Sequence, residues 1–510
     1  MNRAPNLPYA EEIDDLSRDP MAWLARWRDA LGALYALPVE GALLSRTPDC
    51  SGVVAVFGEA HQRAVLTDIE TFVLPPSAAV HLRLPPALHT LNAGLHGMRG
   101  SEHERHKQLL ARVLAGADPE RVHAAAERAA AAVCADLVDG GALLASMRRL
   151  ALDASSRLFF GDDGAALVSA AGLMDYFQRR REAAAPGRIV AADERAQLIE
   201  AGERADAQLR TYRRAARADG ASDTFGALAA LARAPDTVLD EDGFVGHANV
   251  LFISCNEPIA VALTWTLLAL SQQPLLRARC HDAAQRIGDA YEGEGQGDGR
   301  LRAASPLIET MHAQKVHAQK VHAQAQHAQA QHAQKAYAQK MLIEHVLDES
   351  LRVLTPNALM VRVTRTPTRL GAYRLPAGCE VLLSPFLSHR DSQLFPQPQR
   401  FLPSRWANSR PSPYAYFPFG AGGHGCVGRG LSLRLLRDCL VALMRHGEIV
   451  LDGDAVVDWR VHVMLMPTHD PRVRLFAGAL GEAMCGGVLK GGVCDIVDFA
   501  DEDDGEYDGS

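Results

Sequence analysis

Long hydrophobic runs are missing from this chain. No stretch reaches the roughly 20 apolar residues that span a bilayer, and no basic N-terminal region leads into a long apolar core. The expectation is a soluble, cytoplasmic protein without a membrane span. A disulfide framework is missing too: the nine cysteines are odd in number and scattered without a repeating pattern, which leaves reduced core or surface thiols. There is no basic stripe with interleaved aromatics, and a formal charge of −8 argues against nucleic acid as a partner. With 510 residues and the composition of a globular protein, the chain has ample length for a large buried core.

What is present is concentrated near the C-terminal end. Residues Phe419 to Gly428 read FGAGGHGCVG. A cysteine that holds a metal as thiolate needs an accessible sulfur, tight backbone around it and N–H groups aimed at the charge. Gly420, Gly422, Gly423 and Gly425 permit positive φ and close approach to a flat ligand, and Gly428 permits a turn just past Cys426. The following GRGLSLRLLRDCLVALMRHG carries Leu431, Leu435, Leu436, Leu440, Leu443 and Met444 at helical spacing and closes on Gly447. Cys426 therefore falls at a helix N-terminus, where dipole and free amides are expected to lower a thiol pKa.

The spacing of Phe419, Gly422, Cys426 and Gly428 is FxxGxxxCxG, and with His424 it resembles the haem-binding loop of the cytochrome P450 family. Further matches follow in the family's order. QKMLIEHVLDESLRVL contains Glu349 and Arg352 at a spacing that puts both on one helical face, and FPQPQRFLPSRW ends in Phe401, Pro403, Arg405 and Trp406. The resemblance implies a network of Glu349, Arg352 and Arg405 beneath the haem. GSEHERHKQLLARVL resembles the helix that reaches a haem propionate, with His103 and Lys107 in the matching places. Lysine keeps the charge but lacks the fork of arginine, which implies a looser contact. Arg362 and His424 are the other candidates for the propionates, which need cationic or hydrogen-bonding partners when buried.

The resemblance implies one fold, mainly α with small β-sheets, over residues 1–479, and haem b as cofactor with Cys426 as its axial iron ligand. It also implies a monooxygenase that oxidises a hydrophobic small molecule, for example in secondary metabolism. Electrons would come from a separate ferredoxin or flavodoxin, since no flavin or nicotinamide module fits in the remaining sequence. Arg99, Arg105, Arg112, Arg429, Arg434 and Arg437 are candidates to attract that acidic partner, and a monomer is expected. Pocket walls by resemblance are the proline-rich stretch after Phe72, Ser254 to Pro258, Ala358 to Met360, and Met464 to Met466.

One segment departs from the family. HANVLFISCNEPIAVALTWTLLALSQQP occupies the place of the helix over the distal haem face, where an acid and a threonine usually relay protons. Here Asn256, Glu257 and Pro258 stand at that point: the acid is kept and the hydroxyl is gone. Proline removes an N–H and crowds the carbonyl of Ser254, so a kink and a free acceptor are expected. Two readings stay open. Water, Asn256 or a substrate hydroxyl replaces the threonine in an oxygen insertion, or the protein is a peroxygenase, isomerase or dehydratase that needs no relay. A haem-binding sensor or carrier without turnover is the alternative of another class.

Two stretches lie outside the resemblance. His312, His317, His322, His327 and His332 recur every fifth residue in an Ala- and Gln-rich insertion at about 311–340. Steps of five turn about 140° around a helix, so an exposed repeat expansion is expected rather than a metal site. Residues 480–510 are glycine-rich, then acidic, and read as a disordered or loosely docked tail in which Cys485 and Cys494 could pair.

Overall fold

The computed structural model describes residues 7–12, 14–75, 82–164, 167–184, 188–216, 223–234, 237–295, 340–461, 463–477 and 486–500. The His, Ala and Gln repeat and Cys485 lie outside the described residues. Helices dominate, and several begin where the sequence supplies a side-chain cap. Asp19 accepts from the Ala22 N–H at 2.9 Å at the start of Pro20–Leu31, and Asp240 accepts from the Gly243 N–H at 2.7 Å at the start of Glu241–Ser271.

Glu241–Ser271, the central helix, runs 31 residues and is apolar on nearly every face, the pattern of a helix surrounded by protein. It is the one described helix long and apolar enough to cross a membrane, but 78% of its most apolar window is buried inside the domain. It continues unbroken through Pro258, which neither ends nor splits it. Packed around it are Leu143–Gly164, Pro86–Ala93, Ala192–Ala215 and Arg429–His446.

Small sheets frame this helical body. The largest has five strands in the order Leu34–Ala36, Val53–Val56, Glu380–Leu383, Met360–Thr364, Phe72–Val73. Val53–Val56 and Glu380–Leu383 are buried at every position, as central strands covered on both faces are. Met360–Thr364 pairs antiparallel with Glu380–Leu383, placing Arg362 opposite Val381 and turning it into the protein.

The C-terminal segment differs from the expected loose tail. Residues 486–500 are docked: Leu489–Lys490 pairs with Ala455–Val456, and the Phe401 N–H donates to the Asp498 carbonyl at 2.9 Å. The cause is apolar content hidden among glycines and acids. Leu489, Val493, Val497 and Phe499 are all buried against the main core.

Candidate active site

The cysteine loop closes on itself before the helix begins. The Gly420 N–H donates to Phe417 O at 2.9 Å, Cys426 N–H to Phe419 O at 2.9 Å, and Gly425 N–H to Gly422 O at 3.1 Å. Of the four loop glycines, Gly420 (φ 67°) and Gly422 (φ 66°) use the left-handed region. At Gly422 a Cβ would lie 1.9 Å from the Leu66 carbonyl oxygen, so no side chain fits. Gly428 has ordinary backbone (φ −90°) and caps Arg429–His446.

Cys426 presents an accessible sulfur, yet burial within the domain is the main influence on its thiol. Accessible surface enclosed by protein marks the wall of an internal cavity. The thiol pKa is raised, not lowered as its place at a helix N-terminus suggests: burial outweighs the Gly428 N–H and the charges of Lys107 and Arg429, which pull it down. Binding a metal there releases the proton.

Beneath the loop lies an ionic network in which Glu349 and Arg352 are fully buried and Arg405 is partly so. Arg352 is bidentate to Glu349, Nε to Oε2 and Nη2 to Oε1, both at 2.9 Å. Arg405 Nε (3.0 Å) and the Leu402 N–H (2.9 Å) also donate to Glu349 Oε1, and Trp406 Nε1 donates to Oε2 at 2.9 Å. Glu349 thus stays ionised, its carboxyl held below the usual range by Arg352 and Arg405 despite the burial that pushes it up. Arg352 Nη1 donates to His389 O at 2.9 Å, and His389 Nε2 accepts from the Phe417 N–H at 2.9 Å. His389, buried and neutral, therefore couples the network to the first residues of the cysteine loop. The sequence pattern gave no sign of it, because the contact joins segments distant in the chain.

Across the cavity, the central helix turns one stripe inward. Leu251, Ser254, Cys255 and Pro258 escape burial in a stretch that is otherwise buried from Phe252 to Ala260, and their spacing defines a single face. Asn256 and Glu257 lie off that face. Asn256 accepts from Ser155 Oγ at 2.9 Å and donates to Phe252 O at 2.7 Å. Glu257 is clasped by Arg148, whose Nε lies 3.1 Å from both carboxylate oxygens. Of the three distal candidates only Pro258 lines the cavity. Ser254, one turn earlier, carries the one hydroxyl on that stripe, and no N–H at 258 can bond its carbonyl.

The cavity rim is cationic. Arg362 is buried, and its one hydrogen bond among the described residues runs from Nη1 to Val361 O at 2.8 Å. Burial alone pushes its guanidinium down to about 10. His103 packs edge-on against His424 with centroids 4.8 Å apart. His424 is pushed down to about 3, by burial first and then by Arg362, His103, Lys107 and His96. His96, absent from the sequence-level candidates, belongs to the same cluster: burial, Arg362, Arg180 and His103 all depress it. Lys107 Nζ donates to the carbonyls of Gly423 and Gly425 at 2.5 and 2.9 Å, so it clamps the cysteine loop. A buried guanidinium without an anion, beside three imidazoles, one lysine and a cavity-facing thiol, fits a flat dianionic metal complex.

Comparisons with known proteins show what the chain is similar to. A family model described as Cytochrome P450 matches residues 307–468. Over 130 residues the chain is 35% identical to cytochrome P450 137 of Mycobacterium tuberculosis, a stretch covering 25% of this chain and 27% of that relative. It is 43% identical over 91 residues to cyclooctat-9-en-7-ol 5-monooxygenase of Streptomyces melanosporofaciens, covering 17% and 20%. The chain thus matches about a quarter or less of the length of these relatives. Among solved structures, retinoic acid-bound cyanobacterial CYP120A1 superposes with a TM-score of 0.64 at 17% identity, covering 93% of this chain and all of that one. The haem domain of cytochrome P450DA gives 0.68 at 16% identity, covering 92% and 97%. The chain thus has the fold of cytochrome P450 structures, and residues 307–468 match that family's model.

Proposed function

We propose that this protein is a haem-thiolate monooxygenase that oxidises a hydrophobic small molecule. The observation that carries the proposal is the accessible Cys426 sulfur within the domain, near a buried Arg362 that has no anionic partner among the described residues. Haem b would be held there by the Cys426 thiolate, and would supply the reductive activation of oxygen that thiolate ligation favours. Arg362, His103 and His424 would hold the propionates, and Lys107 keeps the loop in place around the sulfur. The relatives named cyclooctatin synthase and cyclooctat-9-en-7-ol 5-monooxygenase, and the retinoic acid in a structural neighbour, support an apolar or amphipathic substrate class.

Proton delivery runs through Ser254 Oγ and ordered water along the stripe ending at Pro258, since Glu257 is engaged by Arg148 and Asn256 by Ser155. Electrons enter from a ferredoxin or flavodoxin docked on the exposed arginines Arg99, Arg105, Arg112 and Arg429. Arg437 and Arg434 contribute less, the first being paired with Asp438 and Glu344 and the second bonded to Ala117 O. The protein works in the cytoplasm as a monomer.

A surrogate ferredoxin, its reductase, NAD(P)H and labelled oxygen test this reading. Incorporation of one labelled oxygen atom into product is expected. Turnover with peroxide alone favours the second reading, a peroxygenase or rearranging enzyme. Its support is Pro258 on the cavity face where a relay hydroxyl is usual. Pro258→Thr separates the two: a relay-poor monooxygenase gains product per NAD(P)H, and a rearranging enzyme does not.

A further inference from the structure

Residues 398–402 are held from two sides, and their backbone alternates between them. Toward the ionic network, the carbonyls of Pro398 and Arg400 accept from Arg352 at 2.8 and 3.0 Å, and the Leu402 N–H donates to Glu349 at 2.9 Å. Away from it, the Gln399 carbonyl accepts from the Asp498 N–H and the Phe401 N–H donates to the Asp498 carbonyl, both at 2.9 Å, forming a parallel bridge between Arg400 and Asp498. Even-numbered positions thus face the network and odd-numbered ones the docked C-terminal segment. That is the two-residue period of an extended chain bonded along both edges.

The C-terminal segment is in turn fixed to the end of the central helix. Gln272, which closes that helix, accepts from the Leu489 N–H at 2.9 Å and donates to Gly487 O at 3.3 Å. Gln273 is fully buried, and its Nε2 donates to Ala500 O at 2.8 Å and to Phe401 O at 3.3 Å, so one amide ties both sides of the junction together. Its Oε1 has no partner among the described residues, which leaves these two bonds as the side chain's polar contribution. Arg390 donates to Ile496 O at 3.3 Å and also to Val353 O, at the end of the 340–353 helix. Its neighbour His389 meets Arg352 through its carbonyl and the Phe417 N–H through its ring. The segment therefore braces the chain on both sides of Arg352: residues 398–402, and the turn through which His389 meets the cysteine loop.

We propose that residues 486–500 are a clasp that keeps the cysteine loop in the form that binds iron as thiolate, with Gln273 as a positioning residue. The inner bonds of residues 398–402 to Arg352 and Glu349 form only while this stretch stays extended. Releasing its outer edge leaves the Gln399 carbonyl and the Phe401 N–H without their partners, and a stretch that turns to satisfy them gives up its inner bonds. Glu349 and Arg352 then lose partners in a buried site, and the His389 contact to Phe417 loosens with them.

This inference rests on the haem-thiolate reading, and its test keeps the two apart. Wild type is compared, haem-loaded and full length, with Gln273→Leu, which deletes both amide bonds, and with Asp498→Pro, which deletes the exposed N–H that reaches Gln399 O. The control is Trp459→Phe, which removes the 3.1 Å bond from Nε1 to Gly492 O and so loosens the same segment away from residues 398–402. Two quantities are read: amide hydrogen exchange in residues 398–402 and 417–426, and the rate at which the thiolate band of the reduced carbon monoxide complex decays. Gln273→Leu and Asp498→Pro are expected to speed both by about fivefold, with Trp459→Phe close to wild type. Wild-type rates in both clasp variants overturn the proposal. Equal acceleration in Trp459→Phe overturns it too, because the loop then follows overall stability. A wild-type spectrum without a thiolate band overturns the underlying reading instead, and the exchange rates still decide the clasp.

Discussion

Ser254 carries a hydroxyl one helical turn before Pro258, the position where the resemblance places a threonine, and on the same stripe. If its Oγ carries protons to the cavity, Ser254→Ala lowers product per NAD(P)H severalfold and raises peroxide release, with the carbon monoxide spectrum unchanged. Unchanged coupling assigns the path to water alone. Gly422 is the second residue where a single atom decides the outcome. Gly422→Ala puts a Cβ against the Leu66 carbonyl at a positive φ, and is expected to cost about 3 kcal/mol and most of the bound haem. Haem retained at wild-type stoichiometry contradicts that. At this scale the proximal residues were legible because their motif spacings are short and local. Arg148, Ser155, His389 and His96 were not, since only folding brings them to Glu257, Asn256, Phe417 and Arg362.

Helix periodicity made the elements around the site readable: the central helix, the 340–353 helix with Glu349 and Arg352, and Arg429–His446 all carry strong apolar patterns. What periodicity could not reveal was the orientation of the central helix. Asn256 and Glu257 sit beside Pro258 in sequence, yet successive helical positions differ by about 100°, enough to turn them from the cavity toward Leu143–Gly164. The C-terminal segment hides its apolar content for a related reason. Its four buried apolar residues are spread over a bridge, a short strand and a single helical turn, so no one period repeats. Truncation before residue 486 exposes Leu489, Val493, Val497 and Phe499 and the core surface they cover. At about 1.5–3 kcal/mol for each large side chain, a loss of several kcal/mol is expected. Equal denaturant midpoints for truncated and full-length protein show the docking to be dispensable.

For the whole molecule, acid sensitivity follows from imidazoles held neutral in the interior. His247 on the central helix accepts or donates through Nε2 to His106 Nδ1 at 2.9 Å, and it is buried. Burial and His106 push it down to about 4, with Asp240 opposing. The unfolded chain binds a proton at this site below about pH 6.5 and the folded one does not until about pH 4, so stability is full above pH 6.5 and falls as pH drops through that window. Between pH 7 and 5 this one group accounts for a loss of about 2 kcal/mol. His247→Gln is expected to remove about that much of the acid sensitivity, read as denaturant midpoints at both pH values. An unchanged slope means that His247 keeps no depressed pKa.

The molecule as a whole is an α-helical frame that brings one thiol and, among the described residues, one buried guanidinium without an anion to a single site. Its central claim is the identity of the group that fills it. Reduced, haem-loaded protein under carbon monoxide reads this most directly. The strongly red-shifted Soret band of thiolate ligation is expected from wild type, together with its loss in Cys426→Ala. An imidazole-type band from wild type, or a thiolate band that survives Cys426→Ala, contradicts the account.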